Sequence, residues 1–564
     1  MPRPTILLKR SLIFLHRWVG VLLSIVFMFW FVSGIVMMYW SFPGVSGKDR
    51  LERAPVLEAA QIKLSPAEAY ATLGRDQAPG STLLTSYDGR PVYRFGGGGG
   101  GGGRRAGGGG GGRRGGGGGG QATVFADDGT QPGPVDDAMF DRVAASWAKL
   151  PLSAAKKESM EETDQWTVEG RLRTLRPLYK YSFSDGQQVY VSGEDASVVQ
   201  YTTSASRFWA YLGAIPHWFY FTTFRVHQPE WFQFIVWSSG IGAVTAILGL
   251  AIGIWMYSPA KRYRHANAPT SFPYKGQKRW HTIFGLFFGV IAVTWSFSGL
   301  LSMGPFEFVD RITGTGKGSG QTKGAGKGKG GGAPQGINIA GVLRGSGRLD
   351  LDAYAAKDPR EVLASIAAFA PKEIEFTSFA DEPIYMATNG EEKTTIIPID
   401  GVPHSSFEPQ RVMSLIREAP GGTELADLRI MDQYDAYYLD RHREKPLPVI
   451  YAEVNDAQHT RYYVDPKTAR VVGNYNSRGW VNRWLYHGLH SLDFPWLYNY
   501  RPLWDIVVIS LMLGGTALCV TSLILSWRVI KRKLTGLVPK DFWKNPNDDL
   551  PTEVPSTPVT SQSV

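Results

Sequence analysis

Four long runs of apolar residues dominate the chain, at about 12–40, 231–257, 280–303 and 503–527. Each run reaches the ~20 residues that a helix needs to cross the hydrocarbon core of a bilayer. The pattern predicts an integral membrane protein with four transmembrane helices. The first run is long and lacks a small-residue cleavage site, so we interpret 1–40 as a short N-terminus followed by an uncleaved anchor.

The two long segments between these runs, 41–230 and 304–502, have a different pattern. Short stretches in which apolar and polar residues alternate are divided by turn residues, and helical stretches precede them. Each segment is therefore predicted to form a small α+β domain outside the membrane. Both segments also contain a glycine-rich tract, at 96–120 and 314–335. We expect these tracts to be disordered, tolerated insertions, with an anionic tether through the arginines of the first as the alternative.

Basic residues cluster before the first span, in the short loop 258–279 and at the start of the polar segment 528–564. Because short cytoplasmic loops carry an excess of Lys and Arg, both ends of the chain are predicted to be cytoplasmic. The net charge of +10 comes in part from these residues and in part from the glycine-rich tracts. It does not indicate nucleic-acid binding.

Histidine occurs at the start of the first and third spans, where an ionisable side chain is costly and marks a functional site. From both His16 and His281, a tryptophan follows after 14 residues and a Ser-Gly pair after 17 and 18. The matching residues are Trp30 and Trp295, Ser33 and Ser298, and Gly34 and Gly299. The common register predicts an internal two-fold repeat.

A second histidine pair supports the same repeat. His217 and His490 each stand 14 residues before a tryptophan, Trp231 or Trp504, at the entry to the second or fourth span. The topology puts one pair at the cytoplasmic ends of the spans and the other at the outer ends. The register therefore indicates two sites, one near each membrane face.

Bis-histidine ligation of haem explains these pairs, because four-helix bundles hold cofactors between facing helices and haem iron takes axial imidazoles. Several alternatives stay open: contact with lipid phosphate, structural histidines copied by duplication, and a copper or zinc site, which would need further ligands. His487, one helical turn before His490, is a candidate alternative ligand or supporting residue. His227 is interpreted as a surface or supporting residue with a smaller chance of touching a cofactor.

Other cofactor chemistry finds little support. The single cysteine, Cys519, lies in the fourth span, so an intrachain disulfide and Cys-x-x-Cys metal sites are excluded. A dinucleotide-binding fingerprint on a strand–helix unit and a Walker phosphate loop are also absent from the sequence.

Several motifs together resemble the PepSY-associated transmembrane family of bacterial inner membranes. They are His16-Arg17-Trp18-x-Gly20, Arg279-Trp280-His281-x-x-x-Gly285, His487-Gly488-Leu489-His490, Asp435-Ala436-Tyr437-Tyr438 with Leu447-Pro448-Val449, and Tyr463-Val464-Asp465-Pro466. The resemblance implies an α-helical membrane fold: a four-helix bundle with an internal two-fold repeat and two periplasmic, PepSY-like α+β domains.

The resemblance also implies a function, because some members are haem-containing reductases that deliver electrons to periplasmic ferric siderophores. We therefore expect an oxidoreductase with two haem b groups, for which His16, His281, His217 and His490 are the ligand candidates. Its partners would be membrane lipid, a ferric siderophore or other ferric chelate held by the outer domains, and a separate electron donor. Since no flavodoxin-like or NAD-binding domain follows the fourth span, that donor would be a reduced flavin, a reductase or quinol.

Two further classes of function compete. Other PepSY-bearing proteins are peptidase inhibitors or signalling modules, so the alternative is a non-enzymatic membrane anchor or regulator that binds a periplasmic protein. Transport of a metal or chelate is the weaker third reading, because no span carries an acidic residue near the middle of the membrane.

Overall fold

The computed structural model describes residues 4–96, 121–265, 268–304, 338–345, 348–419, 424–440 and 443–534. The predictions for the two glycine-rich tracts concern residues outside these ranges, apart from Gly96, which ends a strand. Most of the polar C-terminal segment is outside them as well.

The helices of the described residues include four long ones and many short ones. In chain order they are α1 Pro4–Met37, α2 Gly47–Arg53, α3 Pro66–Ala71, α4 Asp137–Ala148, α5 Ser204–Leu212, α6 Ala214–Trp218, α7 Thr222–Arg225, α8 Gln228–Met256, α9 Gly276–Ser302, α10 Ile339–Arg344, α11 Pro359–Ser365, α12 Pro409–Arg417, α13 Leu489–Ser491, α14 Pro495–Tyr498 and α15 Leu503–Leu534. A π-helical segment, Val481–Gly488, runs directly into α13.

The prediction of four membrane-crossing helices is confirmed. The apolar helical stretches are Ile6–Met37, Gln228–Met256, Gly276–Ser302 and Leu503–Lys533, and each is long enough to cross a bilayer. Some of these helices extend beyond the apolar run. At the start of α1 the helix continues through Lys9 and Arg10, because lysine and arginine are good helix formers.

The four long helices pack in a closed ring within one compact unit. Helix α1 packs against α8, α8 against α9, α9 against α15, and α15 against α1. The close approach of α15 to its neighbours depends on glycine: a Cβ on Gly515 would lie 2.0 Å from the Phe31 ring, and one on Gly514 would lie 2.2 Å from Phe288. Small residues at such positions let helix backbones come together.

The strands belong mainly to a second compact unit, built from 43–207 and 323–479. They are β1 Ser81–Tyr87, β2 Arg90–Gly96, β3 Ala122–Phe125, β4 Ala155–Met160, β5 Leu178–Phe183, β6 Gln188–Ser192, β7 Val198–Thr202, β8 Tyr263–His265, β9 Ala268–Thr270, β10 Pro371–Phe379, β11 Glu382–Asn389, β12 Thr394–Pro398, β13 Leu425–Met431, β14 Val449–Val454, β15 Arg461–Asp465 and β16 Arg470–Tyr475. The short hairpin of β8 and β9 belongs to the helical unit instead.

The two outer segments share one sheet, which the sequence did not predict. Strands β1–β3 and β10–β12 form a six-stranded sheet in the order β12-β11-β10-β1-β2-β3. The join is the antiparallel pairing of β1 with β10, in which Leu83 stands opposite Glu375. Pairing two sheets edge to edge satisfies backbone groups that would otherwise be exposed at each edge. The strands of the two segments therefore belong to one compact unit.

Each outer segment also has a four-stranded antiparallel sheet of its own, β4-β5-β6-β7 and β13-β14-β15-β16. Helix α4 packs on the first of these through Phe140 and Trp147. The second shares a core with α10, α12 and part of the six-stranded sheet, which includes Phe379, Ile396 and Val464. The apolar positions that alternate along these strands are the ones that the cores bury.

Candidate functional site

The four histidines of the predicted pairs meet two by two inside the helical unit. The ring centroids of His16 and His281 are 6.3 Å apart, and those of His217 and His490 are 6.2 Å apart. We call these the inner pair and the outer pair. The helices that carry the inner pair, α1 and α9, do not neighbour each other in the ring, so the pair spans the interior of the bundle.

Neighbouring helices hold the inner pair in place. His16 Nδ1 lies 3.0 Å from the Thr245 carbonyl oxygen on α8. His281 Nδ1 lies 3.2 Å from Thr521 Oγ1 on α15. The His16 ring also lies against the backbone of α8, because a Cβ on Gly249 would be 2.5 Å from His16 Cε1. Only glycine leaves room for the ring there.

The outer pair is held by the serines that follow the inner histidines in the repeated motif. Ser33 Oγ on α1 lies 3.0 Å from His217 Nδ1, and Ser298 Oγ on α9 lies 3.0 Å from His490 Nδ1. Trp30 adds a hydrogen bond of 3.1 Å from Nε1 to the His217 carbonyl oxygen. Helices α1 and α9 therefore each carry a histidine of the inner pair at one end and, near the other end, the serine that contacts a histidine of the outer pair.

The backbone turns sharply after each outer histidine. Helices α6 and α13 end at left-handed residues, Phe219 with φ 53° and Leu492 with φ 50°. A bulky side chain in this conformation costs of order 1–3 kcal/mol and persists where the surroundings enforce it, often at functional sites. At each of these two turns the chain changes direction before the next membrane span begins.

The hydrogen-bond partners of the four Nδ1 atoms bear on the tautomers of the histidines. The Thr245 carbonyl can only accept, so His16 Nδ1 must donate. The hydroxyl protons of the other partners are already given to helix carbonyls: Ser33 to Phe29, Ser298 to Trp295 and Thr521 to Leu518. A hydroxyl that donates to such a carbonyl can only accept from Nδ1–H, which would leave the lone pair of each ring on Nε2. That is the arrangement found in metal-ligating histidines, whose other nitrogen donates to a carbonyl or similar group. His281 Nδ1 also lies 3.4 Å from Ser522 Oγ.

The spacing of the rings fits one metal ion between each pair. An imidazole nitrogen lies about 2 Å from a bound metal and roughly 1 Å from its own ring centre, so two rings across one ion have centroids about 6 Å apart. The separations of 6.3 Å and 6.2 Å agree with this value. Within the described residues there is no group of three or more His, Cys, Asp and Glu side chains with metal-binding geometry. Two histidines at this spacing could hold an iron whose other ligands come from a porphyrin, as in haem.

An apolar interior separates the two pairs. His16 and Ser33 are 17 residues apart on α1, and His281 and Ser298 are 17 apart on α9. At 1.5 Å per residue the pairs are about 25 Å apart along the bundle. Phe31, Ala292 and Cys519 are buried between them, with Phe27 and Trp295 packed alongside. Apolar side chains therefore line the space between the sites.

The two further candidate histidines do not join either pair. His487, on the π-helical segment, contacts Tyr486 with ring centroids 4.6 Å apart, and the same tyrosine lies 5.5 Å from His490. Tyr486 thus contacts both His487 and a histidine of the outer pair. His227 is exposed at the N-terminal boundary of α8.

Two arginines next to the outer pair were missed by the sequence analysis. Arg225 lies 4.2 Å from the centre of the Trp231 ring, and Arg501 lies 4.4 Å from that of Trp504. Arg501 forms an ion pair with Asp505, whereas Arg225 has no ion-pair partner in the described part of the chain. The matched tryptophans, Trp231 and Trp504, indicated this part of the chain. The two arginines precede them by different numbers of residues, so no common sequence motif includes the arginines.

A group of charges in the strand unit was also missed. Glu373 on β10 interacts electrostatically with Arg94 on β2 and with Arg470 on β16. Arg470 also forms an ion pair with Glu375, and the side chains of these two residues are 35% and 34% exposed. Burial raises the pKa of the Glu373 carboxyl, and the two arginines partly offset this shift. Tertiary structure alone brings these residues together, because they come from three distant strands.

Comparison with known protein families identifies a family for this chain. The model of the PepSY-associated TM region matches residues 13–400, which is more than half of the chain. The matched range includes His16, His217 and His281, and His490 follows it. A search of curated proteins finds no match.

Proposed function

Because the chain belongs to the PepSY-associated transmembrane family, we propose that it is a haem-containing membrane reductase. It would move electrons across the bacterial inner membrane to a periplasmic ferric chelate, such as a ferric siderophore, for iron acquisition. Each histidine pair would hold one haem b. The observation that carries the proposal is the common state of the four rings: every Nδ1 is held by a neighbouring helix, and paired centroids are 6.2–6.3 Å apart.

The residues of this chain would bind the haem groups, orient the histidine rings and shield the sites from water. Thr245, Thr521, Ser33 and Ser298 keep Nδ1 protonated and so direct the Nε2 lone pair of each histidine to the iron. When bound, haem would supply reversible one-electron transfer, and one electron reduces the ferric iron of a chelate to weakly held ferrous iron. The apolar residues between the pairs keep water out of the bundle.

The internal repeat and the topology are part of the proposal. The repeat is supported by matching hydrogen bonds: Trp231 Nε1 donates to the Trp218 carbonyl and Trp504 Nε1 to the Ser491 carbonyl. Both bonds span 13 residues, and donors and acceptors alike differ by 273 in number. The basic residues at the ends of the spans support cytoplasmic termini and periplasmic large loops.

The charged group of Arg94, Glu373, Glu375 and Arg470 supports a polar ligand site in the strand unit. Arginines and carboxylates at partial exposure can bind the oxygen donors and amine groups that ferric chelates carry. The electron donor would be a separate molecule: a reduced flavin, a reductase or membrane quinol.

A reduced-minus-oxidised absorption spectrum of the purified chain, with iron quantification, tests the proposal. We expect a Soret band that shifts on addition of dithionite and two haem irons per chain. A colourless protein would reject the reductase and favour the alternative, a non-enzymatic PepSY anchor or regulator that binds a periplasmic partner.

Variants of the outer pair test the reaction itself. His217→Ala and His490→Ala should each abolish reduction of an external ferric chelate while lowering expression much less, because each removes one of two axial ligands. His227→Ala is the matched control, since its exposed ring lies outside both pairs. Full activity in either outer-pair variant would contradict the assignment of this pair.

A further inference from the structure

Arg225 is a buried cation that has no ion-pair partner among the described residues. Only 7% of the residue is exposed. Its Nε and Nη1 are buried and have no hydrogen-bond partner among the described residues. A buried charge is costly unless it is paired and hydrogen-bonded, so an unpaired arginine in such a position requires an explanation.

The aromatic rings around Arg225 account for only part of its environment. The guanidinium lies over Trp231 and over Tyr220, at 4.2 and 5.1 Å from the ring centres. Rings attract the positive charge through their faces. They do not accept the in-plane N–H groups, of which a guanidinium has five.

The second half of the chain contains a similar cage that includes an anion. Arg501 lies over Trp504 and Tyr498, at 4.4 and 5.7 Å from the ring centres. The residue after Trp504 is Asp505, which forms an ion pair with Arg501. The residue after Trp231 is Phe232. One cage therefore has an internal carboxylate where the other has a phenyl ring.

The location of the first cage limits what can bind there. Arg225 ends α7, three residues before the membrane helix α8 begins at Gln228. Trp231 anchors the cage by donating to the carbonyl of Trp218, the residue after His217. The cage is thus at the end of a membrane span, beside the segment that carries half of the outer pair.

We propose that Arg225 binds an oxyanion from another molecule in place of the missing carboxylate. Arginine presents its N–H groups as a fork that matches carboxylate and phosphate oxygens. Two sources have this chemistry at the end of a span: the phosphate of a lipid headgroup and a carboxylate of a bound porphyrin. The porphyrin source rests on the proposed function, whereas the lipid source does not.

The test uses the full-length protein and three variants. Arg225→Gln removes the cation. Phe232→Asp supplies an internal carboxylate at the position of Asp505, and Phe232→Asn is its matched neutral control. Because Phe232→Asp places a carboxylate directly after Trp231, as Asp505 follows Trp504, it tests the proposal even if Arg225→Gln does not fold.

The first measurement is retention of added phosphatidylglycerol after purification in detergent, read by native mass spectrometry. For a phosphate ligand, Arg225→Gln and Phe232→Asp should retain about tenfold less lipid than wild type and Phe232→Asn. This result would support the site even in a protein that binds no haem.

The second measurement is titration with haem and with haem dimethyl ester, which lacks free carboxylates, followed by the Soret band. For a carboxylate ligand, wild type and Phe232→Asn should bind haem about tenfold more tightly than the ester. Arg225→Gln and Phe232→Asp should bind the two with similar affinity. If all four proteins retain equal lipid and show the same ratio of haem to ester affinity, the proposal is wrong.

Discussion

At the scale of single residues, the candidate site depends on where each histidine proton lies. A carbonyl oxygen or a hydroxyl that already donates elsewhere can only accept from Nδ1, and all four rings have such a partner. The partners differ in type: a backbone carbonyl for His16, a threonine for His281 and serines for the outer pair. Different groups thus produce the same result, a lone pair on Nε2.

The inner pair makes the first prediction. His281→Ala should lose about half of the bound haem while the protein still inserts, because one of two bis-histidine sites loses a ligand. Haem per chain, measured by the pyridine haemochrome spectrum, checks this. His265→Ala is the control, since His265 bonds the Tyr274 carbonyl outside the spans. Unchanged haem content in His281→Ala would reject the inner pair as a haem site.

Glu373 makes a prediction about pH. Its pKa is raised chiefly by burial, so the folded state disfavours the ionised carboxylate. Folding stability should therefore fall as pH rises from the ordinary glutamate range through the raised pKa of the folded state. Glu373→Gln should remove this loss and raise the unfolding temperature of the strand unit by roughly 2 °C at neutral pH, with less gain near pH 4.

Thermal unfolding at several pH values, followed by circular dichroism, measures the effect of Glu373→Gln. Glu375→Gln is the comparison variant, because it leaves Arg470 without its ion-pair partner and should not stabilise at neutral pH. The expected gain in unfolding temperature over wild type is larger at neutral pH than at pH 4. The reverse order would contradict the raised pKa of Glu373.

At the scale of elements, glycines set how closely the helices and the histidine rings approach. Gly249 on α8 is in contact with the His16 ring, and Gly514 and Gly515 on α15 are in contact with phenylalanine rings. Hydropathy treats these residues as ordinary members of apolar runs. Their role depends on which helix face meets which neighbour.

Gly249→Ala should therefore disturb the inner site selectively. The new Cβ would lie 2.5 Å from His16 Cε1, so the ring must move. We expect haem binding at the inner pair to weaken about tenfold, with the outer pair unchanged. Haem titration resolved by redox potential measures the two sites separately.

Gly20→Ala on α1 is the matched control, because a Cβ at Gly20 has no atom within 4 Å. It makes the same chemical change in a membrane helix and should leave both sites intact. Equal effects of the two substitutions would mean that the glycine backbone itself, and not the contact with His16, matters.

At the scale of the whole molecule, the outer region is built from both halves of the chain. The pairing of β1 with β10 joins residues almost 300 positions apart into one sheet, in which Thr82 stands opposite Phe376. Residues from the two segments also share one core that includes Leu84, Tyr93, Tyr354 and Phe376. Each segment also has a core of its own, around Phe140 and Tyr181 in the first and around Val412 and Val464 in the second.

The first glycine-rich tract follows β2 in this sheet, and its removal is a test at the same scale. Deleting 97–119 should leave chelate reduction nearly unchanged, because glycine offers no apolar surface for packing. Initial rates with an external ferric chelate and a chemical reductant measure this. A loss of more than about half of the rate would assign a function to the tract.

Much of the molecule could be predicted from the sequence. The four spans follow from the length of the apolar runs, since ~20 apolar residues in a row have few other stable environments. The pairing of His16 with His281 and of His217 with His490 followed from register alone, because equal spacing from landmark residues brings equivalent positions to the same level.

Tertiary structure decided what the register could not. The tautomer of each histidine depends on Thr245, Thr521 and the motif serines, which come from other parts of the chain. The joined sheet depends on an edge pairing for which local patterns have no code, because any antiparallel edge of suitable length can accept another. That Arg225 has no ion-pair partner among the described residues is visible only in the folded chain, since sequence patterns show which charges are present but not which of them pair.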